Sequence, residues 1–302
     1  MRSTFLAVAY LLLMTPSCWA WHTQGHRIAT EAAVEALPAS VPRFFRDAAE
    51  TIAHSSIDPD LAKARGFPEL LAEEFPEHYL DVELLGGRPF PPTRYDLIQL
   101  ATWLGSEPGA EGEEFGPAQT GTLPYSIVEG AQRLTMAFAE HRRWPHNPDI
   151  QAKALVYAGL LAHYAEDLCS PLHTTIHHNG RANPDGSSPH TGFHHQVDVL
   201  FERGGFDRAE AVEGLELDVY DKFMPAVSRE FDDSHALVDT VYDLEPLLPE
   251  IEDGESRLAP AVRVFTAQRY RAAVRFTARL FLTAWEKSAE VELPDWLIRD
   301  SR

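Results

Sequence analysis

Histidine and aspartate residues are concentrated in one part of the sequence. Of 14 histidines in the 302 residues, seven lie between positions 163 and 195. Within this region a histidine is twice followed four positions later by an aspartate, at His163/Asp167 and His194/Asp198. That spacing places both side chains on one face of a helix, one turn apart. Because zinc binds imidazole nitrogens and carboxylate oxygens, the pattern predicts a metal site.

A third histidine, His173, lies between the two pairs and follows the turn Ser170-Pro171-Leu172. One pair at this spacing arises in helices by chance, whereas two pairs that flank a proline turn favour convergence on metal ions. The alternative is that each carboxylate only pairs with its own histidine on a solvated helix face. The loop histidines His177, His178 and His190 would then be exposed and have no function.

The first twenty residues have the pattern of a secretory signal peptide. Arg2 supplies the basic start, residues 5–14 are apolar, and Cys18-Trp19-Ala20 fits a cleavage site. The apolar run is too short to span a bilayer, and an uncut N-terminal anchor is the alternative. We therefore expect residues 1–20 to be removed, and the protein to be secreted or periplasmic without a transmembrane anchor.

Cleavage after residue 20 makes Trp21 the mature N-terminus. A free α-amino group and its own carbonyl oxygen can chelate a metal, and His26 follows one helical turn later. Two further motifs carry ligand-type side chains, namely Asp58-Pro59-Asp60 and His78-Tyr79-Leu80-Asp81. Taken alone, the N-terminal tryptophan and His78 are equally compatible with a structural role.

Helical periodicity dominates the rest of the chain, and a hydrophobic content of 44% is enough to form a substantial core. Alternating strand patterns are scarce, and neither a Rossmann-type glycine fingerprint nor a P-loop is present. We expect an all-α fold: a single multi-helix domain over residues 21–302, with long loops at one end. Helices are predicted at 24–37, 41–53, 94–104, 126–142, 148–168, 193–203, 208–231, 236–244 and 259–290, and irregular segments at 66–95, 107–124 and 177–191.

Charge and cysteine content narrow the possible functions. The formal net charge is −20, and no basic run could serve as a nucleic-acid clamp. Any binding of a phosphate group must therefore come from a local cationic site. After cleavage only Cys169 remains, so an internal disulfide is excluded and core packing or metal must stabilise the protein.

Together these motifs resemble the zinc-dependent phospholipase C and S1/P1 nuclease superfamily, from Trp21 to about Asp198. In that family the mature N-terminal tryptophan is itself a zinc ligand. The resemblance implies three zinc ions as cofactors. The implied ligands are Trp21 and His26 for one ion, Asp60, His78 and His163 for a second, Asp167 as the bridge between these two, and His173, His194 and Asp198 for the third.

The resemblance also implies catalytic and substrate-binding residues. Asp60 and Lys63 take the place of the family's aspartate and the basic residue three positions later, with Asp58 as a rival for the first carboxylate. That basic residue is arginine in the nuclease type, and lysine is a point charge without the bidentate fork. Tyr79 and Asp81 resemble the aromatic and acidic residues beside the nuclease's base-binding pocket.

Two branches of the superfamily remain open. The spacing of Trp21 and His26 and the use of Asp198 as last ligand are nuclease-like, whereas Gly192-Phe193-His194 is phospholipase-like. The resemblance thus implies a zinc-dependent hydrolase of phosphoric ester bonds, in the first place a single-strand nuclease or 3′-nucleotidase that uses a zinc-bridged hydroxide. The alternative substrate is a phospholipid headgroup. A secreted metal-binding protein without turnover is the alternative from a different class.

Overall fold

The computed structural model describes residues 23–106, 116–183, 187–249 and 258–299. α-Helices dominate these ranges, which contain no β-strand and only two isolated bridges, Leu80 with Gly121 and His178 with Gly180. The predicted all-α fold is confirmed. The proposed signal peptide, Trp21 and residues 107–115 of the segment expected to be irregular lie outside the described residues.

The helices are bounded as follows. The α-helices are α1 Thr23–Glu35, α2 Arg43–Arg46, α3 Ala49–Ser55, α4 Asp58–Ala62, α5 Pro68–Glu74, α6 Arg94–Gly105, α7 Pro117–Thr120, α8 Leu123–Arg143, α9 Pro148–Leu168, α10 Phe193–Asp198, α11 Leu200–Arg203, α12 Arg208–Val212, α13 Phe223–His235, α14 Val238–Leu244 and α15 Pro260–Lys287. Short 3₁₀ helices are Phe75–His78, Val82–Leu85, Pro171–Thr174, Glu245–Leu247 and Ser288–Glu290.

Helix α9 begins where its sequence signals predict. Pro148 occupies the first helical position, where a missing N–H costs no hydrogen bond. The side chain of Asn147 caps the helix, since its Oδ1 accepts from Asp149 N at 3.0 Å and from Ile150 N at 3.2 Å. The helix then runs without interruption to Leu168, so it presents His163 and Asp167 on one face.

The main core forms where α1, α2, α8, α9 and α15 pack together. Phe45 of α2 lies between Phe138 of α8 and Phe281 of α15, with ring centroids 5.1 and 5.4 Å apart, and all three rings are fully buried. Burying such a ring contributes about 1.5–3 kcal/mol relative to exposing it. The surrounding positions of α9 are small, including Ala154, Ala158 and Gly159, which lets neighbouring helices approach closely.

A second, smaller core supports α10. Phe193 is fully buried and stacks on Tyr242 of α14 with ring centroids 5.0 Å apart. Val197, Leu200 and Val262 complete this cluster. Because these apolar side chains anchor the helix, the neighbouring positions 194 and 198 are held against the end of α9.

Two predicted helices are wrong as continuous elements. The helix expected over 41–53 is two helices, since Ala48 departs from helical geometry between α2 and α3, with φ of −112° and ψ of 26°. The helix expected over 208–231 ends at α12, where Gly214 adopts a left-handed φ of 64°. The following backbone instead reaches α15, where Tyr220 N donates to Thr283 Oγ1 at 3.0 Å. Tertiary contact outweighs local propensity there.

Three further differences concern shorter segments. The helix expected over 193–203 is α10 and α11, which meet at Val199. The segment 66–95, expected to be irregular, contains α5 and two 3₁₀ helices. The short α4 lies in a stretch for which no helix was predicted. Pro59 lies in the first turn of α4 and Pro68 in the first turn of α5, where a helix tolerates proline. Proline in these segments therefore accompanies short helices and not irregular backbone.

Gly159 lets α9 approach α3, and its replacement is expected to destabilise the protein. A Cβ at this position would lie 2.5 Å from Ser55 Cβ and 2.6 Å from Ile52 O. We expect Gly159→Ala to lower the free energy of unfolding by about 1–3 kcal/mol, because overpacking outweighs the gain in helix propensity. Urea denaturation followed by circular dichroism measures this change.

Gly130 of α8 provides the matched control. A Cβ there would meet Leu161 Cδ1 at 3.4 Å, which is ordinary contact. Gly130→Ala is expected to be neutral or to stabilise by up to about 1 kcal/mol. Equal behaviour of the two variants would contradict the close approach of α3 and α9.

Candidate metal centre

The structure brings the predicted ligands together in three groups of buried side chains. Every predicted metal ligand within the described residues belongs to one of them, which leaves only Trp21 without a described position. In each group the candidate ligand atoms lie within 4.8 Å of one another. The groups are His26 with His163 and Asp167, Asp60 with His78 and His163, and His173 with His194 and Asp198.

Helix α9 is the centre of this arrangement. It supplies His163 and Asp167, and the other ligands come from helices and turns that surround its C-terminal half. His26 lies on α1, Asp60 on α4, His78 at the end of the 3₁₀ helix 75–78, His173 on the 3₁₀ helix 171–174, and His194 and Asp198 on α10.

The two oxygens of the Asp167 carboxylate face different groups. Oδ1 lies 3.4 Å from His26 Nε2. Oδ2 lies 2.9 Å from His78 Nδ1 and 3.3 Å from His163 Nε2. A carboxylate placed in this way can bind two ions at once, which is the bridging role that the family resemblance implies.

Two backbone carbonyls orient the imidazoles around Asp167. His163 Nδ1 donates to Ser56 O at 2.7 Å, and His173 Nδ1 donates to His78 O at 2.6 Å. A carbonyl oxygen only accepts, so each Nδ1 carries the hydrogen and each Nε2 keeps its lone pair. A hydrogen bond from the nitrogen that does not face the metal fixes the tautomer of a metal-binding histidine.

The third group combines His173 with the pair on α10. His194 Nε2 lies 3.2 Å from Asp198 Oδ2, and the rings of His173 and His194 meet edge to face with centroids 4.6 Å apart. Burial raises the pKa of the Asp198 carboxyl well above its usual range, and nearby Asp167 adds to the effect. Burial lowers the pKa of His194 well below its usual range. The site therefore favours a neutral imidazole, which is the form that binds metal.

Several buried ligand atoms have no hydrogen-bond partner among the described residues. They include Asp60 Oδ2, His173 Nε2 and Asp198 Oδ1. An unsatisfied buried polar atom costs about 1–3 kcal/mol, and more when it is charged. Divalent cations would satisfy these atoms together, and the nitrogen and oxygen donors suit zinc. The residues present thus fit the implied metal ions.

Lys63 contacts the first carboxylate directly. Its Nζ lies 2.6 Å from Asp60 Oδ1, and the two side chains are 11% and 1% exposed. Burial alone would raise the pKa of Asp60, but His163 and Lys63 hold it below its ordinary value. The rival Asp58 is exposed on the other side of α4 and belongs to none of the three groups. Asp60 is therefore the better placed carboxylate.

Tyr79 and Asp81 follow His78 in an extended segment that packs against the 116–121 stretch. The half-buried Tyr79 donates its hydroxyl to Ala118 O at 2.5 Å, and its ring meets Phe75 edge to face. Asp81 is buried, and burial raises the pKa of its carboxyl well above the usual range. Both residues follow the candidate ligand His78 closely in the sequence. The Tyr79 hydroxyl is nevertheless already bound to the backbone of Ala118.

Two acidic residues beside the ligands were missed in the sequence. Glu166 is fully buried on α9 and accepts from His26 Nδ1 at 2.8 Å. Glu74 on α5 lies 3.5 Å from His78 Nε2 and accepts from the Tyr164 hydroxyl. In the sequence Glu166 is marked only by its place beside Asp167 in a mainly apolar helix, and its partner His26 lies 140 positions away. Local patterns do not carry that information.

An acidic cavity of about 470 Å³ adjoins the centre on the side of α5. Its lining includes Asp58, Glu74, Glu77, Arg94 and Tyr164. Glu74 connects the two regions, because it lines the cavity and also lies 3.5 Å from His78 Nε2 of the second ligand group. Arg94 is paired with Glu77 and Glu129, so the cavity keeps its acidic character.

The helices in the described ranges are all too short or too polar to cross a bilayer.

No protein-family model and no curated protein matches the sequence. The solved structures that are similar to this chain include two clostridial toxins. The alpha toxin from Clostridium absonum has a TM-score of 0.45 and 14% identity, covering 92% of this chain and 68% of the toxin. The Clostridium perfringens alpha-toxin isolated from avian strain SWCP has a TM-score of 0.40 and 14% identity. That match covers 89% of this chain and 65% of the toxin. A likeness at this identity concerns the fold alone.

Proposed function

We propose that this protein is a zinc-dependent hydrolase of phosphodiesters, with residues 21–302 as its catalytic domain. The observation that carries the proposal is the assembly of three buried His/Asp groups. Two of the groups share His163, and Asp167 Oδ2 lies 3.9 Å from His173 Nδ1 of the third group. A storage or structural zinc site needs only one closed tetrahedral shell. Adjacent groups that share ligands are instead the arrangement expected of a multinuclear catalytic centre. The family resemblance in the sequence points to the same chemistry.

The side chains of such a site would have different roles. Zinc ions bound there would polarise a phosphoryl oxygen and lower the pKa of a water molecule. The eight ligand side chains described above would hold the ions, with Asp167 between two of them. Lys63 neutralises part of the Asp60 charge, which leaves the centre cationic toward a phosphate. Cys169 is fully buried and burial raises the pKa of its thiol well above normal, so it is unsuited to act as a nucleophile.

A phospholipid is the substrate that the surface around the centre favours. The segment 61–77 joins two ligands of the same group, Asp60 and His78. Helix α5 within it has no buried residue. Four large apolar side chains of the segment are at least 40% exposed, namely Leu61, Phe67, Leu70 and Phe75. Exposed apolar side chains clustered beside a site are typical of a contact with lipid or protein.

The total charge also favours a phospholipid over a nucleic acid. A protein with a net charge of −20 repels a nucleic acid, because every phosphate of the nucleic acid is negatively charged. A zwitterionic headgroup has no net charge and is not repelled in this way. The nuclease interpretation rests on the spacing of Trp21 and His26, on Asp198 as last ligand, and on Tyr79 and Asp81 as base-binding residues. The Tyr79 hydroxyl is bound to Ala118 and Asp81 is buried, so neither presents its polar group openly to a base. We therefore place phospholipid before single-stranded nucleic acid.

Hydrolysis assays on three substrates test the proposal. The protein starting at Trp21 is loaded with zinc and assayed on phosphatidylcholine vesicles, single-stranded DNA and the soluble diester bis(4-nitrophenyl) phosphate. We expect cleavage of the vesicle lipid and of the soluble diester, both lost on chelation. Cleavage of DNA alone would move the assignment to the nuclease branch. Bound zinc with no hydrolysis of any substrate would instead favour a metal-binding protein.

The double variant Phe67→Ser/Leu70→Ser tests the lipid contact separately. Each side chain withdrawn from an interface forfeits about 1.5–3 kcal/mol of transfer free energy. We expect at least about tenfold weaker vesicle binding and hydrolysis, with unchanged hydrolysis of the soluble diester. Val264→Ser on α15 is the control, because Val264 is an equally exposed apolar residue on a helix that supplies no ligand. Equal vesicle binding by the wild type, the double variant and Val264→Ser would overturn the proposed lipid contact.

A further inference from the structure

A buried carboxylate that belongs to none of the ligand groups contacts the first histidine. Glu166 Oε2 accepts from His26 Nδ1 at 2.8 Å, and Glu166 Oε1 accepts from Thr30 Oγ1 at 2.8 Å. All three residues are fully buried. His26 and Thr30 are one helical turn apart on α1, so both reach the same carboxylate on α9.

This contact determines which nitrogen of His26 faces the candidate centre. With Nδ1–H directed at Glu166, Nε2 points to Asp167 Oδ1 at 3.4 Å. The His26 ring also stacks on His163 with centroids 4.0 Å apart and an interplanar angle of 25°. Carboxylate, ring stacking and helix position together hold the imidazole in the orientation that a metal between His26 and Asp167 requires.

The partner of His26 differs in kind from those of two other histidines. The Nδ1 atoms of His163 and His173 meet backbone carbonyls, which carry no net charge. The Nδ1 of His26 meets a carboxylate, which adds negative charge behind the imidazole and increases its strength as a donor to a metal. An ion held by His26 would therefore depend on a side chain that can be replaced without removing any ligand.

We infer that Glu166, held by Thr30, is a positioning residue that selectively strengthens metal binding at the His26/Asp167 group. This inference rests on the proposed function only in that the groups bind zinc, and it does not depend on the substrate. Glu166 would not touch the metal or the phosphodiester. Its effect is on the orientation and basicity of His26.

Zinc binding to Glu166→Gln tests the inference. The wild type and the variant are loaded with zinc and dialysed against chelators of increasing strength, and bound zinc per chain is measured by atomic emission. Loss of a carboxylate that accepts a hydrogen bond from a metal-binding histidine typically weakens metal binding about 10–100-fold. We expect one ion to be lost from Glu166→Gln at a correspondingly lower chelator strength, while the remaining ions are retained as in the wild type.

Two companion variants make the test specific. Thr30→Val keeps the shape of the side chain and removes only the hydrogen bond to Glu166, so it is expected to weaken the same ion by a smaller factor. It also serves if Glu166→Gln fails to fold. Glu230→Gln is the matched control, since Glu230 is likewise a buried glutamate but contacts Cys169 and Arg275 away from the ligands. It should retain all ions.

The outcomes separate this inference from the proposed function. If the wild type binds zinc and both Glu166→Gln and Thr30→Val release every ion at the wild-type chelator strength, the positioning role is wrong and the proposed function stands. Simultaneous loss of all ions from Glu166→Gln, with helicity retained, would contradict a role confined to one group. A wild type that binds no zinc would overturn the proposed function itself.

Discussion

Asp167→Asn is expected to abolish hydrolysis while leaving the helices intact. The two carboxylate oxygens face His26 on one side and His78 and His163 on the other. Asparagine keeps the shape but removes the charge, and its NH₂ group would point at a cation. Since metal ions contribute several kcal/mol of charge stabilisation in such reactions, we expect kcat/KM to fall about 10³-fold or more.

Three measurements check this result. Hydrolysis of the soluble diester gives kcat/KM, atomic emission gives the zinc content, and far-UV circular dichroism gives the helicity. Asp60→Asn is expected to behave in the same way, because Asp60 faces the group that contains His78 and His163. Asp149→Asn is the control on the same helix, since Asp149 is exposed in the first turn of α9. Full activity in zinc-loaded Asp167→Asn would contradict its assignment as the bridging ligand.

Removal of the metal is expected to cause the largest change in stability. Each ion that binds only the folded chain, at about 1,000 times its Kd, stabilises it by about 4 kcal/mol. In a chain of this size 1 kcal/mol shifts Tm by about 2–4 °C, so even one ion accounts for about 8–16 °C. Only Cys169 remains after residue 20, so no internal disulfide compensates for the loss.

Differential scanning calorimetry with and without chelator measures this shift. Zinc added back should restore Tm, whereas magnesium should not, because it prefers oxygen ligands in octahedral geometry. The same scans on Asp167→Asn should show a smaller response to chelator, since that variant holds less metal from the start. Equal Tm values for the wild type with and without chelator would contradict a buried metal centre.

The centre was predictable from the sequence where the spacing is local, and not where the contacts are long-range. His163/Asp167 and His194/Asp198 each lie within one helix, so periodicity alone places each pair on one face. The choice of Asp60 over Asp58 depends instead on which side of the short α4 faces α9. Glu166 has a partner 140 positions away, and nothing near it in the chain indicates that contact.

The same distinction holds for the fold. Helix α9 was predicted to within a residue because Asn147 and Pro148 mark its start through their own chemistry. The predicted helix over 208–231 is wrong because Tyr220 binds Thr283, a residue of α15 that becomes a neighbour only after folding. Two points stay predictions: that the assembled groups hold three zinc ions, and that Trp21 is one of the ligands.

The position of Asp60 and His78 at the two ends of the exposed segment has a consequence for chain entropy. An ion bound by both residues would close the segment 61–77 into a loop, as a disulfide closes the chain between its two cysteines. Because the ion binds only the folded chain, it would hold the two ends of the segment together there and so reduce the number of conformations open to the segment. Helix α5 has no buried residue to hold it in place, so the ion would serve as the cross-link that keeps this apolar surface folded. The catalytic metal and the shape of the proposed lipid contact would then be lost together.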